Sequence, residues 1–341
     1  MNKKIIYFII AILFMGGYMG FNYYQKIFGK AITEDNTLYV FSTDNLMDVK
    51  KKISEFSNKP QTFLWVAAKK NFSKPKSGKY AIKKGMSNND LVNLLRSGNQ
   101  TPIKVSFNNQ NTIEKFAGRI AQQIEADSTS LIKAFTDSTF LAKNNINKKS
   151  VLGIFIPNSY EFYWNTSAER FRNKMLKEYH KFWNQNRVSK AKNLGLSKQE
   201  VITLASIVQK ETAKKMERPI VAGLYLNRLK KGWPLQADPT VIYTIKEQKG
   251  QDFIIKRVLT KDLEIKSPYN TYINKGLPPT LIAMPDISAI DAVLNPAKHK
   301  YMYMTASITK IGFHEFANTL SQHNRNAAKY HSWLNRQKIL R

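Results

Sequence analysis

Residues 204–215 read LASIVQKETAKK, an apolar helical run that meets a glutamine, a glutamate and several lysines. On a helix, Val201, Leu204, Val208 and Glu211 follow spacings of three, four and three, which puts them on one stripe. Glu211 therefore extends a greasy face instead of opposing it. One reading is a helix-end carboxylate whose stem packs while its head stays in water. The other is a carboxyl held against apolar surroundings, where loss of solvation favours the neutral acid and raises its pKa. A carboxyl of that second kind can protonate the leaving oxygen of a glycosidic bond.

The elements that would position Glu211 follow directly. Arg218-Pro219 suits the start of a second helix and Gly232 its C-terminal stop, so a short turn would hold Glu211 near the joint of two helices. LQADPTVIY then offers Gln236, Asp238 and Tyr243 around a proline turn. SPYNTYINKGLPP supplies Tyr269, Asn270 and Tyr272, and FHEFANTLSQHNRN supplies His314, Asn318, His323 and Asn324. Each of these residues taken singly fits a turn or a core. Together, amides, phenols and imidazoles beside aromatic rings match the hydroxyls and ring faces of a sugar.

Other chemistries find little support. The histidines (180, 299, 314, 323 and 331) form no HExxH pattern, and with no cysteine a zinc site is not expected. No GxGxxG, P-loop or GxSxG motif occurs. Ser206 lies mid-helix without a lysine at serine–lysine spacing, which argues against a serine nucleophile.

Lysine and arginine total 54 against 24 aspartate and glutamate in 341 residues, a net charge of +30. Such a surplus points to polyanionic surroundings such as nucleic acid, anionic lipid headgroups or an acidic cell-wall polymer. Ile5 to Tyr24, IIYFIIAILFMGGYMGFNYY, carries no charge and approaches the ~20 apolar residues that span a bilayer. Lys3 and Lys4 precede it, and the run ends in interfacial aromatics without a small-x-small cleavage site. The expectation is a single-pass anchor in the cytoplasmic (inner) membrane, residues 1–30 with a short cytoplasmic stub, and all else on the outer or periplasmic face. That placement, and basic residues scattered with no arginine-rich helix, argue against nucleic acid as partner.

Beyond a polar tether, TLYVF reads as a strand and DNLMDVKKKISEF as a helix with Leu46, Val49, Ile53 and Phe56 inward. A strand KYAI leads to a helix capped by Ser87 or Asn88 and stopped by Gly98, and TPIKVSF follows as a strand. This order resembles the LysM-like subdomains that bind glycan, here residues 31–110. Residues 111–150 read as helical, IFIPNSYEFYW as too rich in Pro, Asn and aromatics to be helical, and AERFRNKMLKEYHKFW as an amphipathic helix. The fold class expected is α+β: an N-terminal transmembrane helix, a small LysM-like subdomain, and a mixed, mostly helical catalytic domain over 111–341.

LASIVQKET, ERPIVAGLYLNRL, PLQADPTVIY, SPYNTYINKGLPP, NPAKHKYMYM and FHEFANTLSQHN, in that order, resemble the YceG-like, or MltG-type, endolytic murein transglycosylases. The resemblance implies that Glu211, the acid of the Lys-Glu-Thr triplet, is catalytic. Where the family usually has a second glutamate two residues earlier, this chain has Gln209, and LPPTLIAMPD departs from the commoner Gly-Pro-rich loop. The reaction implied is non-hydrolytic cleavage of the N-acetylmuramic acid to N-acetylglucosamine bond in nascent peptidoglycan, leaving 1,6-anhydro ends and terminating glycan growth beside the synthases. No metal or other cofactor is implied. The alternative is a membrane-anchored scaffold that binds peptidoglycan and recruits synthases without cleaving.

Overall fold

The computed structural model describes residues 3–255 and 257–336. The first two residues of the expected stub, and the last five of the stretch 111–341, lie outside them. The chain forms two compact units, one from 1–105, 121–127 and 159–167, the other from 106–120, 128–158 and 168–341.

The first unit begins with α1 (Lys3–Phe28), 26 residues that rise about 39 Å, long and apolar enough to cross a bilayer. Its final turns join the fold: the Tyr23 ring meets Trp65 edge-on at 5.0 Å, and Lys26 lies over the same indole at 5.7 Å. β1 (Asn36–Val40), α2 (Leu46–Ile53), α3 (Pro60–Lys69) and β2 (Gly78–Ile82) follow, with β1 and β2 paired antiparallel, Leu38 opposite Tyr80. Alternation along β1 turns Leu38 and Val40 inward, where they meet Val49, Ile53, Phe63 and Val66. α4 (Asn88–Ser97) closes this core with Leu91 and Leu95. Its cap is Ser87, in a reciprocal box with Asp90, and Gly98 ends it at φ +72. β3 (Ile103–Ser106) pairs with β4 (Ser159–Phe162), a strand within the segment read as non-helical.

In the second unit, α5 (Ile113–Ala121), α6 (Ser128–Phe135) and α7 (Ser138–Lys143) make the helical stretch read from 111–150. Phe116 is the hub of their aromatic core, 4.8 Å from Phe107 and 4.5 Å from Phe155 between ring centres. α8 (Ala168–Phe182) and α9 (Gln185–Asn193) lead to α10 (Lys198–Glu211), started by a Ser197–Glu200 capping box. α10 is buried on nearly all sides from Val201 to Gln209, packed on α11 (Arg218–Lys230), α12 (Asp238–Lys249) and α13 (Ile287–Leu294). A helix in that position should be apolar nearly all round, and between its polar first turn and its last turn only Thr203 and Ser206 are polar, both buried. The unit ends with a hairpin of β5 (Tyr303–Ala306) and β6 (His314–Ala317), packed on α14 (Leu320–Arg336).

Candidate active site

Glu211 is the last residue of α10. Thr212 turns extended at φ −136, so the helix stops just as it brings this carboxyl out of the core. Val201, Leu204 and Val208 on the same stripe are fully buried, and Glu211 is half-buried at its end.

α11 faces it. Pro219 fixes the first turn of α11, and Gly232, at φ +65, lies just past its end. Gly223 lets the helix press against the 297–299 segment, since a Cβ there would come within 2.5 Å of Ala297 O and 2.7 Å of His299 Nε2. Further along α11, Tyr225 and Arg228 are both buried, three residues apart on one face. Arg228 donates from Nε to Met302 O at 2.7 Å and from Nη1 to Leu235 O at 2.5 Å. Those bonds lock the guanidinium plane beside Glu211. The Tyr225 hydroxyl is buried and makes no well-formed hydrogen bond, but it faces the Glu211 carboxyl closely enough to favour the ionised form.

The third wall comes from α12 and the 269–272 turn. Gln236 N–H donates to Thr271 O at 3.0 Å, Ala237 N–H to Thr271 Oγ1 at 3.1 Å, and the Thr240 and Thr271 hydroxyls meet at 2.9 Å. This stitch sets Asp238 beside Tyr272, whose hydroxyl donates to Asp238 Oδ1 at 2.5 Å. Gln236 itself sits at φ +49, an uncommon conformation for a non-glycine residue, at the mouth of the site.

Electrostatics follow from this geometry. Burial raises the Glu211 carboxyl from 4.5 to about 7, the Tyr225 hydroxyl partly opposes that, Asp238 adds to it, and Arg228 opposes it. Burial, then Glu211, push the Tyr225 phenol well above its ordinary value, so it stays protonated as a donor. The Tyr272 phenol is likewise raised, by burial and then by Asp238. Burial and Arg228 hold His323 below its usual value. A carboxyl near 7 flanked by one cation and two phenols can give up a proton and take it back at neutral pH. Among the described residues no group of three or more histidine, aspartate or glutamate side chains could hold a metal.

Of the residues named from sequence, Asp238, Tyr272 and His323 share this electrostatic neighbourhood with Glu211 and Arg228, and Gln236 lies two residues from Asp238. Asn270 is turned into the fold. It is fully buried, its amide donates to Leu263 O and Ile265 O, and its oxygen accepts the Tyr272 N–H. Its effect on the site is indirect, through the placement of Tyr272. His314 is committed to buried Glu217, which accepts from its N–H at 2.6 Å and lies 2.9 Å from its Nδ1. The Tyr243 ring packs against that of Tyr269, tilted by 45° with centres 4.7 Å apart. Asn318 and Asn324 are exposed, with no side-chain link to Glu211 among the described residues. Tyr225, Arg228 and Tyr303, whose ring lies 5.2 Å from that of His323, were not singled out from sequence.

Gln209 has a clear structural role. Its Nε2 donates to Met284 O at 3.1 Å and its Oε1 accepts from Asp286 N at 2.6 Å. Asp286 in turn accepts from Arg218 Nη1 at 2.7 Å and caps α13. The amide thus fastens the 284–286 loop to α10, two residues before Glu211, donating and accepting at once.

This arrangement sits within a recognisable lineage. The "Endolytic murein transglycosylase" of Bacillus subtilis is 31% identical over 286 residues, covering 79% of this chain and 77% of that protein. The protein of the same name from Streptococcus pneumoniae D39 is 27% identical over 355 residues, covering 94% of this chain, which spans 63% of the pneumococcal length. The crystal structure of a yceG-like protein from Listeria monocytogenes superposes with a TM-score of 0.57 at 27% identity, over 86% of this chain and 98% of that one. Residues 38–329 match the YceG-like family, and with most of the chain inside that match, the chain belongs to the YceG-like family.

Proposed function

We propose that the chain is an endolytic peptidoglycan transglycosylase and that Glu211 is its single acid and base. The observation that carries this is the Glu211 carboxyl, raised to about 7 between Tyr225, Arg228 and Asp238, in a chain whose relatives bear that name. Glu211 gives its proton to the oxygen joining N-acetylmuramic acid to N-acetylglucosamine as that C1–O bond breaks and C1 takes on oxocarbenium character. The carboxylate left behind is stabilised by the Arg228 guanidinium and the Tyr225 hydroxyl. It then removes the proton from the muramoyl C6 hydroxyl, whose oxygen bonds to C1 and closes a 1,6-anhydro ring. The nucleophile belongs to the substrate, so no activated water and no second carboxylate are needed.

The rest of the chain would bring this site to nascent strands. The last turns of α1 are built into the first unit through Tyr23, Lys26 and Trp65, which favours a retained anchor over a removed signal sequence. Residues 31–110 hold an antiparallel strand pair, β1 with β2, and the helices α2, α3 and α4, which supports reading them as a LysM-like glycan binder. A single-pass anchor with the catalytic unit outside would set the site beside the synthases.

Mass spectrometry of peptidoglycan digested by the wild-type protein and by Glu211→Gln tests this. Anhydro-muramoyl ends from wild type alone are expected. Reducing ends would instead mean hydrolysis, with Asp238 the nearby carboxylate to activate water. Intact strands with both proteins would leave a binding scaffold.

A further inference from the structure

Lys210 precedes Glu211 on α10, and its side chain enters a cavity of about 120 Å³. Asn111, Lys246, Tyr243, Ile242 and Ile282 also line it. Lys210 Nζ donates to Asn111 Oδ1 at 2.7 Å, and Lys246 Nζ donates to Gln251 O at 3.2 Å. Each ammonium has three donors, so each keeps two beyond the bond it makes. Among the described residues neither lysine pairs with a carboxylate. Burial and, after it, the neighbouring Lys246 hold the Lys210 ammonium below its ordinary pKa. Glu247 lies beside the Tyr243 hydroxyl and accepts from Gln251 Nε2 at 3.2 Å, so its carboxylate is engaged at the rim without pairing with either lysine. Two cations converging on one cavity with no carboxylate in ion-pair contact form a disfavoured arrangement that a bound anion relieves.

The walls narrow the choice of anion. A bare phosphate would satisfy the ammonium groups but leave the Tyr243 ring, Ile242 and Ile282 facing nothing apolar. A carboxylate at the end of a short aliphatic chain satisfies both. The cavity also lies close to the chemistry, because Tyr243 is five residues along α12 from Asp238, about 7 Å of helical rise.

We propose that the Lys210–Lys246 cavity binds a side-chain or terminal carboxylate of the peptides carried by the glycan strand, and so sets which sugar reaches Glu211. This rests on the transglycosylase reading of the site. It makes Lys210 and Lys246 specificity residues that lie outside the proton transfers.

Two measurements on the full-length protein in detergent test it. The first is titration of the Glu211→Gln protein with a short synthetic tripeptide bearing free carboxylates, and with its carboxamide counterpart. The acid should bind at least tenfold tighter than the amide, and the double substitution Lys210→Gln/Lys246→Gln should erase that preference, while Lys210→Arg/Lys246→Arg should keep most of it. The second is cleavage of peptide-bearing strands and of strands stripped of peptide by an amidase. In the glutamine double variant the ratio of kcat/KM between the two substrates should fall about tenfold. Equal binding of acid and amide, competition by inorganic phosphate as strong as by the peptide, or an unchanged ratio would each overturn the proposal. If the wild type cleaved neither strand while its titration still separated acid from amide, the transglycosylase reading would fall and the carboxylate site would stand.

Discussion

Glu211 should weaken the fold it serves, and Glu211→Gln measures by how much. In the unfolded chain this carboxyl titrates near 4.5, and in the folded protein near 7. The folded state therefore holds on to a proton that the unfolded state releases between those values, and stability falls as pH rises through that window. Above pH 7 the cost levels off, because both states are then ionised. The gap between the two values corresponds to at most about 3 kcal/mol. Half-exposure of the side chain screens part of this, leaving about 1–2 kcal/mol. Glutamine keeps the shape and cannot ionise. Its advantage should be near zero at pH 4.5, grow between pH 5 and 7, and reach about 1–2 kcal/mol at pH 8, a rise of about 3–6 °C in the melting temperature of the second unit. Thermal unfolding of both proteins at closely spaced pH values reads this directly. A difference in melting temperature that stays constant from pH 4.5 to 8 would show that burial is not what holds the proton, and the acid–base assignment would lose its physical basis.

Other substitutions probe the walls. Glu211→Gln should lower cleavage by about 10²–10⁴-fold, the usual worth of a positioned acid–base group, measured by release of soluble fragments from strands. Tyr225→Phe removes a hydroxyl that favours the ionised carboxyl, so the alkaline fall of kcat/KM, expected near pH 7, should move upward; a downward move would contradict the assignment. Arg228→Met should move that limb the same way. It also deletes the bonds to Met302 O and Leu235 O, which should cost about 2–4 kcal/mol in chemical denaturation, and Arg228→Lys should not restore both. Gly223→Ala places a methyl 2.5 Å from Ala297 O and should destabilise the second unit by about 1–3 kcal/mol, checked by its melting temperature.

Legibility in the sequence followed how local each cause was. The stripe of Val201, Leu204, Val208 and Glu211 is set by helical geometry over ten residues, and the structure buries the three apolar members as the spacing requires. The caps at Ser87 and Gly98 and the start of α11 at Pro219 are equally local signals. Tyr225 and Arg228 stood in plain view within LYLNRL, three apart, yet polar residues on a helix usually face water. Only the packing of α11 against the 297–302 segment makes that face an interior one. An arginine and a tyrosine three apart among the leucines of LYLNRL could have flagged it. Asn270 is the opposite case. An amide suits a sugar as well as a backbone, and the Leu263 and Ile265 carbonyls that claim it are brought there by a loop with no sequence signature.

The two carboxyls of the site make its chemistry asymmetric. Asp238 is exposed, and one of its oxygens is taken by the Tyr272 hydroxyl at 2.5 Å, so it enters as a fixed negative charge that raises Glu211. Glu211 has the opposite setting, with burial and Asp238 favouring its proton and Tyr225 and Arg228 favouring its loss. Were burial alone in force, the carboxyl would protonate the leaving oxygen poorly and could not readily become a base afterwards. Were the arginine dominant, it would be ionised before the reaction began. The balance near neutrality is what a single group needs if it must act first as acid and then as base at one pH. Two-carboxylate glycosidases divide these tasks between residues whose environments drive their pKa values apart. Here the opposing influences converge on one side chain, which suits a reaction whose nucleophile is the substrate's own hydroxyl.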